Sequence, residues 1–185
     1  GNRPPDFCIA TGEVSIERNK AQGLIGTNTK ILWAHSLDYN IYLKNNGKKS
    51  EPSSNQAVFL EPPAPLFPGD SLAMGYKSPT TAENYFPSIC RFFDFTEKQL
   101  DIKVKIAAHP KTNHPPYPEC YGSRQTLLGD TFGMIKNAQF IIAHASTAIH
   151  FAILLKKPVI FLTTKEFENN AMFSSDIEAF AHSMG

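Results

Sequence analysis

Two short polar segments, His109-Pro110 and Ser146-Thr147, each follow an apolar run and have the residue types that bind phosphate. A histidine N–H can donate a hydrogen bond to a phosphate oxygen, and an adjacent proline stiffens the loop that carries it. A Ser-Thr pair at the start of a helix lies beside free backbone N–H groups and a partial positive charge. These four residues are therefore predicted to bind a phosphate group.

The elements around these segments predict a parallel sheet. Val104–Ala108 and Phe140–Ala143 have the short, bounded apolar character of buried strands. A helix over residues 147–155, capped by Ser146, is predicted to end before Pro158, and Val159–Leu162 forms the next strand. Since parallel strands end at one edge of a sheet, His109 and Ser146 are expected to face one cleft. The alternative is that Ser146 only caps the helix and that His109 is an ordinary loop residue.

The order of elements predicts an α/β fold with a doubly wound parallel sheet of the Rossmann-like type. From Ala57 onward, four strands alternate with helices, as in a nucleotide-binding half. Asn45–Gln56 has no apolar residue and is the predicted linker. The predicted domains are residues 1–50 and 51–185. The first is the end of an N-terminal Rossmann-like lobe, or else extra strands of the same sheet.

Composition narrows the class of protein. The 185-residue chain has a formal net charge of +1, which gives no basic patch for nucleic acid. No apolar run reaches the length of a membrane span, and three cysteines without close pairing favour reduced thiols in the cytoplasm. Glycine-rich dinucleotide and P-loop motifs are absent from the sequence. His144 and His150 could join His109 as metal ligands, but structural histidines are favoured and no metal site is predicted.

The segments His109-Pro110, Gly129-Asp130-Thr131, Ser146-Thr147 and Lys157-Pro158, in this order, resemble bacterial surface-polysaccharide glycosyltransferases. The resemblance covers about residues 57–165 and is strongest to the sialyltransferases and polysialyltransferases of the GT-B type. It implies a GT-B half that binds a CMP- or UDP-type nucleotide sugar without a metal or other cofactor. By resemblance, His109 contacts the donor nucleotide, and Ser146 and Thr147 hold its phosphate.

The resemblance further implies inverting transfer of a sugar to an oligosaccharide or glycolipid acceptor. This is an activity of surface-polysaccharide or capsule biosynthesis in the cytoplasm or at the inner face of the membrane. Asp38 is the predicted base for the acceptor hydroxyl, and His109 stabilises the departing phosphate. Arg124 and Thr131 are predicted as additional phosphate contacts, although an arginine in a loop is by default simply exposed.

Two other functions stay open at this point. The chain could be a non-catalytic or truncated nucleotide-sugar-binding module, because the acidic motif that supplies the family's base has no match. It could also be a nucleotide-sugar epimerase, which shares the two-domain architecture.

Overall fold

The computed structural model describes residues 3–47, 55–73, 75, 77–111 and 118–184. The chain divides into two compact units, residues 1–48 and 49–185. Most of the predicted linker 45–56 lies outside the described residues.

The first unit contains two parallel strands and two helices. Its elements are β1 (Phe7–Ala10), α1 (Glu13–Ala21), β2 (Lys30–Trp33) and α2 (Leu37–Asn46). In the described residues, β1 and β2 form a two-stranded sheet that is separate from the sheet of the second unit. Ser36 caps α2, because its hydroxyl accepts a hydrogen bond from the Tyr39 N–H. The sequence interpretation did not include α1, whose only buried residue is Ile16.

The second unit contains the larger sheet. Its elements in chain order are β3 (Gln56–Leu60), α3 (Gly69–Ala73), α4 (Ala82–Leu100), β4 (Lys103–Ala107), a 3₁₀ turn (Pro118–Tyr121), β5 (Thr126–Leu127), α5 (Thr131–Asn137), β6 (Phe140–Ala143), α6 (Ile149–Leu154), β7 (Val159–Phe161), α7 (Lys165–Glu168) and α8 (Ala171–Met184).

The five strands are all parallel and lie in the order β5-β4-β3-β6-β7. This is the predicted Rossmann-like, doubly wound α/β arrangement, and the prediction of fold class is confirmed. The chain runs outward from β3 to β5 on one side and returns through β6 to β7 on the other. The strand order therefore reverses between β3 and β6, the place where open α/β sheets form a crevice for ligands.

Helix α4 helps to bury the central strand β3. Every residue of β3 is buried, and α4 covers one side of it with the buried residues Phe86, Ile89 and Phe93, which are spaced along one face of the helix. Phe93 packs edge-to-face against Phe59 of β3, with ring centroids 5.1 Å apart. Leu100, at the end of the helix, lies outside this packing and is 54% exposed.

The structure differs from the prediction at two points, the strand β5 and the start of the helix after β6. The two-residue strand β5 was absent from the prediction, because a segment this short has no measurable periodicity. The helix after β6 begins at Ile149 rather than Thr147, and its N-cap position is Ala148 rather than Ser146. The hydrogen bonds from the N–H groups of residues 149–151 span three residues, so the chain enters α6 through a 3₁₀ turn.

Candidate functional site at the carboxyl edge of the sheet

The sheet brings the His109 and Ser146 segments to the same edge, although they are far apart in sequence. Ala107, at the end of β4, pairs with Leu60 of β3, and Ile142 of β6 pairs with β3 from the other side. Neighbouring strands are about 4.8 Å apart, so the ends of β4 and β6 lie about 10 Å apart across β3. The loops after β4 and β6 therefore flank the end of β3 at the reversal of strand order.

His109 is half-buried, and contacts from two sides fix its ring. The ring stacks on Phe67, with centroids 5.7 Å apart and planes at 29°. The Lys111 N–H donates to His109 Nδ1 over 3.2 Å. When the ring is neutral its proton therefore lies on Nε2, the nitrogen that can donate to a ligand. Lys111 adds a positive charge to this loop, and Pro110 between them is exposed.

Glu61 follows β3 directly and lies beneath the His109 loop. The carboxyl group belongs to a residue only 6% exposed, and both oxygens accept hydrogen bonds. Oε2 accepts from the His109 N–H at 2.7 Å, and Oε1 accepts from the Tyr121 hydroxyl at 2.9 Å. Burial, followed by electrostatic interaction with Tyr85 and Glu61 and the hydrogen bond to Glu61, raises the pKa of Tyr121 well above its usual range, so this hydroxyl keeps its proton at neutral pH.

The sequence interpretation overlooked Glu61. A signal was available, because Glu61 is an acidic residue directly after the wholly apolar run Ala57–Leu60. When a carboxylate in that position is buried, it needs hydrogen-bond donors from the protein. The donors come from residues 48 and 60 positions further along the chain, which local patterns do not identify.

Ser146 lies in the turn between β6 and α6, and its hydroxyl has a local partner. Its Oγ accepts a hydrogen bond from the Ala148 N–H at 3.3 Å, and its carbonyl accepts from the Ile149 N–H at 3.2 Å. Thr147 next to it is exposed. The first turn of the six-residue α6 is thus held by Ser146. The predicted cap of a helix that starts at Thr147 is thus replaced by a turn that Ser146 holds, and the contact of Ser146 and Thr147 with a phosphate stays a prediction.

His144, two residues before Ser146, has a structural role, as predicted. It is 3% exposed, and its Nδ1 lies 2.8 Å from the Leu162 carbonyl, which can only accept. Nδ1 therefore carries the proton, and Nε2 accepts from the Tyr85 hydroxyl at 2.9 Å. Burial lowers the pKa of His144 to about 4, and the bond to the Leu162 carbonyl opposes that shift only in part. The neutral ring links β6, α4 and the segment after β7.

Arg124 does not lie with the other predicted phosphate contacts. It precedes β5, at the opposite edge of the sheet from the ends of β4 and β6. Its side chain is 8% exposed and forms ion pairs with Glu97 and Asp94 of α4, each with one N–O distance of 2.6 Å. The interpretation of Arg124 as a phosphate contact is therefore corrected: the side chain ties the start of β5 to α4.

Replacing Arg124 by methionine is expected to lower the free energy of unfolding by about 1–2 kcal/mol. A buried charge pair is worth more than a surface pair, but Asp94 is largely exposed and contributes little. The affinity for any ligand at the carboxyl edge should not change. Urea unfolding measures the first quantity and calorimetric titration the second. A loss of affinity with unchanged stability would restore Arg124 to the binding site.

The two remaining predicted site residues lie in different places. Thr131 begins α5 and is half-buried, and it follows β5 at the carboxyl edge. Asp130 caps that helix by accepting from the Gly133 N–H at 3.0 Å. Asp38 is in the first turn of α2, within the first unit. The residues His109, Ser146 and Thr131 thus lie at one edge of the sheet of the second unit. Asp38 lies in the first unit.

An open groove of about 720 Å³ lies at the β7 end of the same edge. One wall is the exposed side of α4 with Asn84 and Arg91, and the other is the segment after β7 with Thr163, Thr164 and Lys165. Its lining is polar and carries charges of both signs. Within the part of the chain described here, no three histidine, cysteine or acidic side chains cluster closely enough to hold a metal ion. No helix in that part is long and apolar enough to cross a membrane.

Several curated bacterial proteins are similar to this chain over part of their length. A putative competence-damage inducible protein of Bacillus cereus (strain ATCC 10987) is 26% identical over 151 residues, which are 78% of this chain and 34% of that protein. The protein of the same description in Bacillus mycoides is 29% identical over 129 residues, or 66% of this chain and 29% of that protein. The chain spans about a third of the length of these curated relatives. No family model matches it.

These matches overturn the glycosyltransferase interpretation. The relatives are named competence-damage inducible proteins and not glycosyltransferases. The predicted sugar transfer, its role in capsule or surface-polysaccharide synthesis and the sialyltransferase resemblance are therefore wrong. His-Pro and Ser-Thr are two-residue segments that suit the strand ends of many parallel sheets, so their order alone did not identify an activity.

Proposed function

We propose that this chain binds a small phosphorylated ligand at the carboxyl edge of its five-stranded sheet, with His109 as the main side-chain contact. The observation that carries the proposal is the juxtaposition of the His109 loop and the Ser146 turn on either side of β3, where the strand order reverses. Ligands of open α/β sheets bind at such a reversal.

The chemistry of the His109 loop supports an anionic ligand. The bond from the Lys111 N–H leaves the neutral His109 ring with its donor on Nε2, and Lys111 itself is a cation. A phosphate oxygen accepts from both kinds of donor, and hydrogen bonds to a charged oxygen are about twice as strong as neutral ones. The buried carboxylate of Glu61 does not oppose this, because both of its oxygens are engaged inside the fold.

The test is a titration of the purified chain with inorganic phosphate, CMP and cytidine at one ionic strength. Phosphate and CMP should give a saturable heat and raise the melting temperature, whereas cytidine should do neither. NAD is the comparison for a dinucleotide site and is expected not to bind, because the glycine-rich fingerprint is absent from the sequence. Equal binding of cytidine and CMP would contradict the proposal, since the phosphate would then contribute nothing.

Replacing Ser146 by alanine is expected to lower the free energy of unfolding by about 0.5–1.5 kcal/mol. The reason is the loss of the hydrogen bond from the Ala148 N–H that holds the turn into α6. The rise in melting temperature on adding phosphate should also become smaller, because the turn faces the ligand. Ser36→Ala is the matched control, because it removes the same kind of hydroxyl cap, 3.3 Å from the Tyr39 nitrogen, at the start of α2 in the first unit. A lower melting temperature without phosphate, but an unchanged rise with it, would leave Ser146 a purely structural role.

The relatives support an inference about the cellular role of this chain, and its cysteines support one about its compartment. We infer that this chain belongs to a cytoplasmic protein with a role related to that of the competence-damage inducible proteins. Its three cysteines are free thiols, which suits a reducing compartment. Transcript levels before and after the onset of competence, and after DNA damage, test this inference. Equal levels under all three conditions would contradict it.

A further inference from the structure

The loop that connects β3 to α3 holds His109 at two different points. Glu61, at the start of that loop, accepts the backbone N–H of His109 at 2.7 Å. Phe67, further along the same loop, stacks against the imidazole ring. The first contact sets the course of the backbone after β4, and the second sets the plane of the ring. Together with the bond from the Lys111 N–H, they determine where Nε2 lies.

We propose that Glu61 is the positioning residue of the ligand site, a role that rests on the proposed binding of phosphate by His109. It contacts no ligand in this role. It holds the His109 backbone through one carboxylate oxygen, while Tyr121 holds the other oxygen, so that the imidazole is in place before the ligand arrives. Preorganisation of this kind raises affinity because the loop does not have to be ordered on binding.

A carboxylate suits this task better than a neutral side chain. The donor–acceptor distance of 2.7 Å is at the short end for an N–H donor, as expected when the acceptor is charged. Glu61 is itself anchored, because its own N–H donates to the Ala107 carbonyl at 3.1 Å. The strand pairing of β3 with β4 thus continues one residue beyond the strands and ends in the carboxylate–amide bond.

Tyr121 extends the network to a third segment. It ends the 3₁₀ turn that precedes β5, is 2% exposed, and donates its hydroxyl to Glu61 at 2.9 Å. Its ring packs edge-to-face against Phe86 of α4, with centroids 5.2 Å apart. Glu61 cannot change rotamer without leaving this hydroxyl unsatisfied in the core, which is costly. The carboxylate therefore has one orientation, and so does the amide bonded to it.

The test compares phosphate affinity and stability in four variants. Glu61→Ala should weaken the binding of inorganic phosphate about tenfold, the effect of losing a charge-assisted hydrogen bond that orders the site. Glu61→Gln should bind within about threefold of wild type, because an amide oxygen can accept from the His109 N–H and its NH₂ can donate to Tyr121. Tyr121→Phe should lie between the two.

Tyr85→Phe is the matched control. It makes the same chemical change at another fully buried tyrosine, whose hydroxyl donates to His144 rather than to Glu61. We expect Tyr85→Phe and Tyr121→Phe to lower the melting temperature similarly, with only Tyr121→Phe reducing phosphate affinity. Equal affinity in the two variants would mean that the Glu61 network is structural only, and would overturn the proposal.

A second measurement separates this inference from the proposed function. The amide proton of His109 should resonate downfield in the wild type, because of its short bond to a carboxylate, and move upfield in Glu61→Ala or, by less, in Glu61→Gln. An unchanged shift would contradict the positioning role whether or not phosphate binds. If His109→Ala binds phosphate normally while the amide shift moves as expected, the proposed function fails and the contact itself stands. If His109→Ala weakens binding and Glu61→Ala does not, only the positioning role is wrong.

Discussion

Lowering the pH from 7 to 4 should remove about 3 kcal/mol from the free energy of unfolding through His144 alone. Burial lowers the pKa of this histidine to about 4 in the folded protein, whereas an unfolded histidine titrates near 6.5. Between these values the unfolded chain binds one more proton than the folded chain, so stability rises with pH across this interval. The loss therefore begins as the pH falls below about 6.5 and levels off about one unit below the folded pKa of about 4.

Urea unfolding at half-unit pH steps measures this dependence, and His144→Asn is the reference. The variant should be less stable at pH 7, because the bonds to Tyr85 and Leu162 are disturbed, but it lacks the titrating ring. Subtracting its profile from that of the wild type removes the contribution of the other acidic and basic groups. A difference that is flat between pH 6.5 and 4 would mean that His144 is not held neutral by burial.

Replacing His109 by alanine is expected to weaken phosphate binding by about 1–3 kcal/mol, or about 5- to 150-fold. The variant loses a hydrogen bond to a charged oxygen, and such bonds are the strongest polar contacts that a single side chain makes. The free energy of unfolding should fall by much less, because the His109 ring is only half-buried. Isothermal titration calorimetry with inorganic phosphate gives the affinity directly.

His182→Ala is the control for this experiment. It replaces another histidine, exposed on α8, that is not among the residues at the ends of β3, β4 and β6. It should bind phosphate like the wild type. An unchanged dissociation constant for His109→Ala, with a normal melting temperature, would remove His109 from the site and with it the main support for the proposed function.

The relatives of this chain say more about its function than its fold does. The sequence offered short segments that resemble glycosyltransferases, and the fold they implied is present. A Rossmann-like sheet serves many activities, so the fold does not select among them. The relatives named as competence-damage inducible proteins, aligned over 78% of the chain, carry more information than two dipeptides.

What the sequence determined by itself is the framework. The apolar runs of β3, β4, β6 and β7 are local features, and so is the helical spacing of Phe86, Ile89 and Phe93 in α4. Strands buried on both faces and joined by helices leave parallel pairing as the available arrangement, and parallel pairing places all the strand ends on one edge. The common edge of His109 and Ser146 was therefore predictable without knowing the strand order.

The tertiary structure alone decided which partners the buried polar side chains contact. Glu61 meets the His109 N–H because β4 pairs with β3, and Arg124 meets Glu97 because β5 joins the edge of the sheet beside β4. These partners are 27 to 60 positions apart, and no local period encodes them. A buried polar group must be satisfied by whatever the strand order brings within reach, so its role becomes defined only when the sheet is assembled.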